Sequence, residues 1–472
     1  MAALLNMVAS KEHKIALVVG LGATGLSCLR HLVKRGYHVR GVDTRTQPPK
    51  LENIRREFPD VELHTGGFET PFFDEPGLLV VSPGISLREP AIAHACMRGA
   101  EAIGDIELFA RALNERGTKE NVIAVTGSNG KSTVTALVGA MAQAFGLDTA
   151  VGGNIGIPAL DLLDETKAEI YVLELSSFQL ESTGSLQARA AAVLNVSSDH
   201  MDRYSTLDEY AAAKARIFGD TTIRILNVDD PYTRRMARPA NRVVFFGARP
   251  PQSETEYGLS EHAGDTWLMR GSNRLMPAQE IVLAGRHNLV NVLASMALAE
   301  SAGVSLEAQC RAARGFRGLA HRCELVLQHD GVTWINDSKG TNVGATAAAL
   351  SGMTAPVILI AGGDGKGADF SSLRPAVAQH ARAVVLIGRD APRIESALAG
   401  AVPVHHARDM RAAVERAAEL ARPGDVVLLS PGCPSYDAFS NYEERGDAFV
   451  AAVKSFRCID PQHHQLPTQP PQ

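Results

Sequence analysis

Residues 124–139 read AVTGSNGKSTVTALVG, a glycine-containing turn between an apolar strand-like run and a helix-like one. The order strand, turn, helix is the setting in which a phosphate loop works. Backbone amides and the helix N-terminus face an anion, Lys131 reaches the β- and γ-phosphates, and the Ser132 hydroxyl can hold magnesium. Gly127, Ser128, Asn129, Gly130 and Thr133 complete the candidate triphosphate loop. The general pattern asks for glycine five residues before Gly130, where this chain has Val125. A turn that is glycine-rich only for packing is therefore the alternative at this point.

The rest of the chain decides what such a loop would serve. With 472 residues it exceeds the length at which one hydrophobic core stops growing, so two or three domains of roughly 100–200 residues are expected. Lys plus Arg number 47 against 52 Asp plus Glu, a formal charge of -5, which leaves no bulk electrostatic case for nucleic acid or an anionic membrane. The six cysteines are dispersed without a C-x-x-C pair, a usage that fits a reducing compartment and points to the cytoplasm. The start, MAALLNMVASKEHK, reads as ordinary chain and not as a secretion signal. No apolar run approaches the roughly 18 residues of a spanning helix.

Three successive α/β units follow from the patterning. KIALVVGLGATGLSCLRHLVKRGYHVRGVDTR, from Lys14, gives strand, helix, strand, with VELHTG and LLVVSPG as further parallel strands, so residues 1–109 form one unit. The second unit, 110–315, holds the phosphate loop, the strand-like runs AEIYVLELSS, AAVLNV, TIRILNV and NRVVFFG, a small antiparallel patch between Tyr257 and Val282, and a helix ending at Gly303. The third, 316–458, opens on CELVLQHDGVTWIND, whose HDG fits a hairpin turn, and continues with alternating helices and strands. The Pro- and Gln-rich residues 459–472 read as a disordered tail.

Polar residues at strand ends mark the candidate sites. Gly20, Gly22 and Gly25 form G-x-G-x-x-G, with Asp43 ending the next strand, a dinucleotide fingerprint that a pyrophosphate joined to something other than nicotinamide would satisfy equally. Glu174 closes a strand, as a magnesium ligand or as an N-cap for SSFQLE. SSDHMD carries Asp199, His200 and Asp202 in a similar position, though a lone histidine is as often a satisfied loop residue. Lys214, on an Ala-rich helix, reads as a solvated lysine. NDSKGTN (336–342) and GGDGKG (362–367) bring Asp337, Lys339, Thr341, Asn342, Asp364 and Lys366 to strand ends, where phosphate and carboxylate groups could meet. SPGCPSYDAFSNY adds Ser430, Ser435 and Tyr436, while Cys433 lacks a nearby histidine to activate it.

Together, TGSNGKST, LELSSFQLE, NVSSDHMDRY, GRHNLVNVLA, HRCE, NDSKGTN, GGDGKG and LLSPGCPSYDAF resemble the Mur ligase family, most closely its D-glutamate-adding branch, over nearly the whole chain. The resemblance implies a Rossmann-like N-terminal domain for the uridine nucleotide, a central P-loop NTPase-like domain with a mostly parallel sheet for ATP, and a Rossmann-like α/β C-terminal domain for the amino acid and part of ATP. It implies ATP-dependent ligation of D-glutamate to UDP-N-acetylmuramoyl-L-alanine through an acyl phosphate, in peptidoglycan precursor synthesis. A monomer is expected.

By the same resemblance Thr24, Asp43, Thr44, Arg45, Ser82 and Gly84 would meet uracil or diphosphate, and Asn154 the muramoyl group. Asn288, Asn291, Arg322 and Asp337 would contact ATP. Ser132 and Glu174 would organise one Mg2+ and His200 a second, bridged by Lys214 as a carbamate. Lys339, Thr341, Lys366, Ser435 and Tyr436 would receive D-glutamate. Gly340, Tyr436 and Tyr442 depart from the family's usual alanine, leucine and phenylalanine. Rival readings are a folate polyglutamate synthase or another Mur ligase adding L-alanine or a diamino acid, a nucleotide-gated interaction protein, and an NAD-dependent oxidoreductase.

Overall fold

Three sheets follow one another along the chain. The computed structural model describes residues 15–456 apart from 118–121, 166–167, 202, 239–241 and 284. The N-terminal run, Asp202 and the Pro-rich tail lie outside the described residues. The first sheet is wholly parallel, in the order Glu62–Thr65, His38–Asp43, Ile15–Val19, Leu78–Val81, Glu101–Ile103. Its central strand, IALVV, is almost entirely buried, as expected where helices cover both faces of a parallel sheet. The strand order reverses beside Ile15–Val19, which puts a ligand crevice at the C-terminal ends of that strand and its neighbours.

The second sheet has nine strands. Thr149–Gly153, Ile170–Glu174, Val122–Thr126, Ala190–Val193, Ile223–Asn227 and Val243–Phe246 run parallel in that spatial order. Tyr257–His262, Asp265–Arg270 and Asn273–Pro277 extend the edge as an antiparallel meander, where the patterning placed an antiparallel patch. Helices Lys131–Phe145 and Arg286–Ser301 share one apolar cluster with the sheet through Val134, Leu137, Met141, Val292 and Met296.

The third sheet has six strands, parallel except for Glu324–His329, which forms the expected hairpin with Val332–Asn336. Asp330 and Gly331 at its turn both have positive φ, 49° and 75°, the conformation a tight hairpin turn demands.

The junctions between units differ in kind. Helix Asp105–Arg116 carries the chain across residue 109 without a break, and one apolar cluster runs from Val18 and Leu29 through Phe109 and Leu160 to Tyr171 and Leu186. The apolar clusters of the third unit contain only residues from Cys323 onward. Its contacts with the second unit include polar ones, such as Asn342 to Asp199 at 3.1 Å and Arg286 N–H to the Gly352 carbonyl at 3.2 Å.

Candidate active site

The strand Val122–Thr126 is buried at every position and delivers the loop 127–130 to the start of helix Lys131–Phe145. Gly130 turns the chain with φ 85°, and a Cβ there would lie 2.6 Å from Asn291 Oδ1, so this position needs glycine on both counts. The same contact places Asn291 beside the loop, and its Nδ2 donates to Asn288 Oδ1 at 3.1 Å. Asn129 N–H donates to Asn195 Oδ1 at 2.8 Å, and Ser128 Oγ donates to the Ser197 carbonyl at 3.1 Å, stitching the loop to the next strand end. Lys131 folds over its own loop, donating to the carbonyls of Gly127 and Ser128 at 2.8 and 2.9 Å. Burial pushes its ammonium below the usual lysine range, and Arg322 adds to this while Glu174 and Asp199 oppose it.

Glu174, 3% exposed, ends its strand against this loop. Its carboxylate accepts from the Ser132 hydroxyl on one oxygen and from Asn154 Nδ2 at 2.9 Å on the other. The N-cap of the following helix is Ser176, in a capping box with Gln179, so Glu174 does not serve as the cap. A buried carboxylate beside a hydroxyl is a hard-oxygen pair suited to magnesium. Among the described residues no three His, Cys, Asp or Glu side chains form a metal-sized cluster. An ion at Ser132 and Glu174 would complete its shell with phosphate oxygens and water.

Lys214 departs from the solvated reading: it is 1% exposed. Its ammonium lies 4.1 Å from the centroid of the Tyr210 ring and donates to the Gly127 carbonyl at 2.9 Å. Burial, with Lys131 beside it, drives it well below the ordinary lysine range. Tyr210 also meets the His200 ring in an edge-on arrangement, with centroids 6.3 Å apart, and Phe178 contacts that histidine ring at 4.8 Å. His200 holds a left-handed backbone, φ 58°, and its N–H donates to Asp199 Oδ1 at 3.0 Å. Tyr210 has no place in the sequence reading. Its spacing, four residues before Lys214 on one helix, is the signal that could have found it.

From the third unit, Asp337 is buried, accepts from Ser430 Oγ at 2.7 Å and from Cys323 N–H at 3.2 Å, and is pushed up to about 6 by burial. Half-buried Lys339 stands over the Tyr442 ring at 3.6 Å. Its ammonium is pushed down to about 8, first by burial and then by Arg322. Thr341 N–H donates to the Lys339 carbonyl at 2.8 Å. Lys366 is exposed, with φ 47°, and lies 5.2 Å from the Tyr436 ring; Ser435 beside it is buried. Tyr436 is 66% exposed, so its phenol needs no buried partner. Cys433 is fully buried and its thiol is pushed up to about 12 by burial, which removes it as a nucleophile.

Arg445, 1% exposed, ties these loops together by donating to Ser338 O at 2.7 Å and Cys433 O at 2.9 Å. A charged residue on an amphipathic helix reads from sequence as exposed, so no pattern announces it.

In the first unit a Cβ at Gly25 would lie 1.9 Å from the Gly20 carbonyl, the close packing that the third glycine of the fingerprint permits. Thr24 lies in the first turn of the following helix, Ser82 Oγ donates to Gly20 O at 3.1 Å, and Gly84 is exposed just beyond. Asp43 accepts from Leu21 N–H at 2.8 Å and from Arg45 through two bonds of 2.9 and 2.7 Å. Burial alone would raise its carboxyl, but Arg45 and these amides hold it below the usual range. With Arg45 across it and Thr44 exposed alongside, that carboxylate is not presented alone for a ribose diol. Asn154 stands apart from this group, against Glu174.

Comparison with known proteins agrees along the chain. The model of the Mur ligase MurD-like N-terminal domain matches residues 14–104, that of the Mur ligase middle domain 125–299, and that of the Mur ligase glutamate ligase domain 321–433. The UDP-N-acetylmuramoylalanine--D-glutamate ligase of Nitrosococcus oceani is 49% identical over 441 residues, covering 93% of this chain and 96% of that protein. The chain belongs to the Mur ligase family. Another Mur ligase of the same name, from Marinobacter nauticus, is 51% identical over 441 residues and covered to 97%. Among solved structures, a pseudomurein peptide ligase type C from Methanothermus fervidus superposes with TM-score 0.59 at 15% identity, covering 94% of this chain and all of that one. The UDP-N-acetylmuramate-alanine ligase of Thermotoga maritima gives 0.57 at 19% identity, covering 94% and 99%. These two share the Mur ligase fold of three α/β units.

Proposed function

We propose that this Mur ligase joins D-glutamate to the carboxylate of UDP-N-acetylmuramoyl-L-alanine, converting ATP to ADP and phosphate, in peptidoglycan precursor synthesis. The observation that carries this reading is the identity of about half of all residues, over nearly the full length, to ligases of that name. A carboxylate is a poor electrophile, so one of its oxygens first attacks the γ-phosphorus and ADP departs. The deprotonated amine of D-glutamate then attacks the acyl carbon of this acyl phosphate, and phosphate leaves with the bridging oxygen.

Each unit takes one part. Residues 1–109 hold the uridine nucleotide through Thr24, Asp43, Thr44, Arg45, Ser82 and Gly84. Residues 110–315 hold ATP in the 127–133 loop with Asn288 and Asn291, and Asn154 beside Glu174 meets the muramoyl end. Residues 316–458 add Arg322 and Asp337 to ATP and receive D-glutamate at Lys339, Thr341, Lys366, Ser435 and Tyr436. Lys131 offsets negative charge on the phosphoryl group as it moves. The separate apolar clusters of the third unit support its closing over the second, which would exclude water from the acyl phosphate.

Magnesium supplies further charge neutralisation at the phosphoryl oxygens. Ser132 and Glu174 would hold one ion, and His200 with Lys214 a second. A lysine ammonium repels a cation, so Lys214 fits that role as a carbamate: its neutral amine adds to carbon dioxide, the N–C bond forms, and a proton goes to solvent. The depressed basicity of the buried amine supports this chemistry. Use of ATP and a nucleotide-linked substrate supports a cytoplasmic reaction. Among the described residues no helix is long and apolar enough to cross a membrane.

Purified protein is given ATP, magnesium and a matrix of UDP-linked acids and amino acids, and ADP is measured. Release only when UDP-N-acetylmuramoyl-L-alanine and D-glutamate are both present is expected. Equal release with L-alanine or a diamino acid would overturn the assignment.

A further inference from the structure

The N-terminus of helix Val343–Ser351, in the third unit, abuts the nucleotide loop of the second, and Asn342 stands at the contact. Asn342 Oδ1 accepts from Ala345 N–H at 2.8 Å and caps the helix. That bond settles which way the amide faces, because the carbonyl end is committed to the cap and Nδ2 is turned toward the second unit. There Nδ2 donates to Asp199 Oδ2 at 3.1 Å and reaches Asn129 Oδ1, in the phosphate loop, at 3.5 Å. The other Asp199 oxygen accepts from the His200 N–H at 3.0 Å, and His200 has the left-handed φ of 58° that a side chain rarely adopts unaided. Packing agrees with the hydrogen bonds: a Cβ at Gly344, one residue into the helix, would lie 3.1 Å from Ser197 Oγ on the same loop. Ser197 N–H in turn donates to Ser128 Oγ at 3.0 Å.

We propose that Asn342 is an interdomain positioning residue for the ligation. The cap holds the amide, the amide holds Asp199, and Asp199 holds the backbone of His200, so docking of the third unit sets His200 against the nucleotide. The kinetic part of this proposal rests on the ligase reading above; the mechanical part does not. Docking and loop order draw on the same contacts. A nucleotide that orders residues 127–132 and 195–200 therefore favours docking, and docking favours the nucleotide by the same factor.

Asn342→Asp separates this role from simple helix capping, because aspartate caps as well as asparagine. It exchanges the donor for an acceptor and sets a like charge against Asp199. Adding Asp199→Asn reverses the pair: the amide at 199 can donate to the carboxylate at 342 while its own oxygen still accepts from the His200 N–H. Two readouts are taken on the full chain: kcat/KM for ligation, and amide hydrogen exchange across Ser197–Tyr204 with and without ATP and magnesium. Asn342→Asp is expected to lower kcat/KM about tenfold or more and to speed exchange in that segment, with Tm retained. The double variant is expected to return both to within about threefold of the parent. Unchanged kinetics and exchange in Asn342→Asp, or a loss that Asp199→Asn fails to repair, would overturn the proposal. If the parent ligates nothing, the ligase reading is at fault, and exchange still decides the positioning role.

Discussion

Lys131 and Lys214 donate to one acceptor, the carbonyl oxygen of Gly127, at 2.8 and 2.9 Å. Lys131 arrives from the first turn of its helix and Lys214 from helix Leu207–Ala215. Burial first, and then the Lys131 ammonium on the same carbonyl, drive Lys214 toward the neutral amine that carbon dioxide requires, against the pull of Asp199. Labelled with 13C carbon dioxide, the protein should show a carbamate signal that Lys214→Ala removes. That variant should lose about 100- to 1,000-fold in kcat, with partial recovery in short carboxylic acids. A parent without the signal, or a fully active variant, would contradict the carbamate.

Lys339 is charged below about pH 8 and neutral above it, because burial and Arg322 outweigh Glu443 and Glu174 around its ammonium. If it grips a carboxylate of D-glutamate it does so only while charged. KM for D-glutamate should therefore climb as pH passes 8, and Lys339→Arg, which stays protonated, should flatten that climb. Matching pH profiles for the two proteins would exclude the contact.

Which parts of this were legible in the sequence follows from how each residue declares itself. VIAVT and IYVLE read as buried strands because their apolar runs have the length of a strand, and HDG read as a turn because a tight hairpin requires positive φ there. Glu174 was visible as an acid ending an apolar strand. Lys214 was legible only through the family resemblance, since helix Leu207–Ala215 is Ala-rich and nothing local says that its lysine turns inward over Tyr210. Arg445 and Asn342 act on partners over 100 residues away, Ser338 and Asp199 respectively, and such pairings exist only after three sheets have assembled.

Asp105 carries a buried carboxyl at the junction of the first two units. It accepts from Gln179 Nε2 at 2.9 Å on one oxygen, while the other has no partner among the described residues. Burial pushes it up to about 6, against the pull of Gln179 and nearby amides. A carboxyl raised on folding favours the protonated native state, so its contribution is full below about pH 4 and is lost as pH rises through 6. Asp105→Asn keeps the acceptor for Gln179 and stays neutral. Denaturant unfolding at pH 8 should show a gain on the order of 1–3 kcal/mol, shrinking toward zero near pH 4. A loss at pH 8, or equal gains at both, would contradict the assignment.

The acyl phosphate is the centre of the account, and isotope transfer tests it most directly. UDP-N-acetylmuramoyl-L-alanine labelled with 18O in its carboxylate is turned over with ATP and D-glutamate, and the released phosphate is examined by mass. The bridging oxygen of an acyl phosphate leaves with phosphorus, so each phosphate formed should carry one carboxylate oxygen. Phosphate free of label, with amide still produced, would show that the carboxylate never attacked the γ-phosphorus.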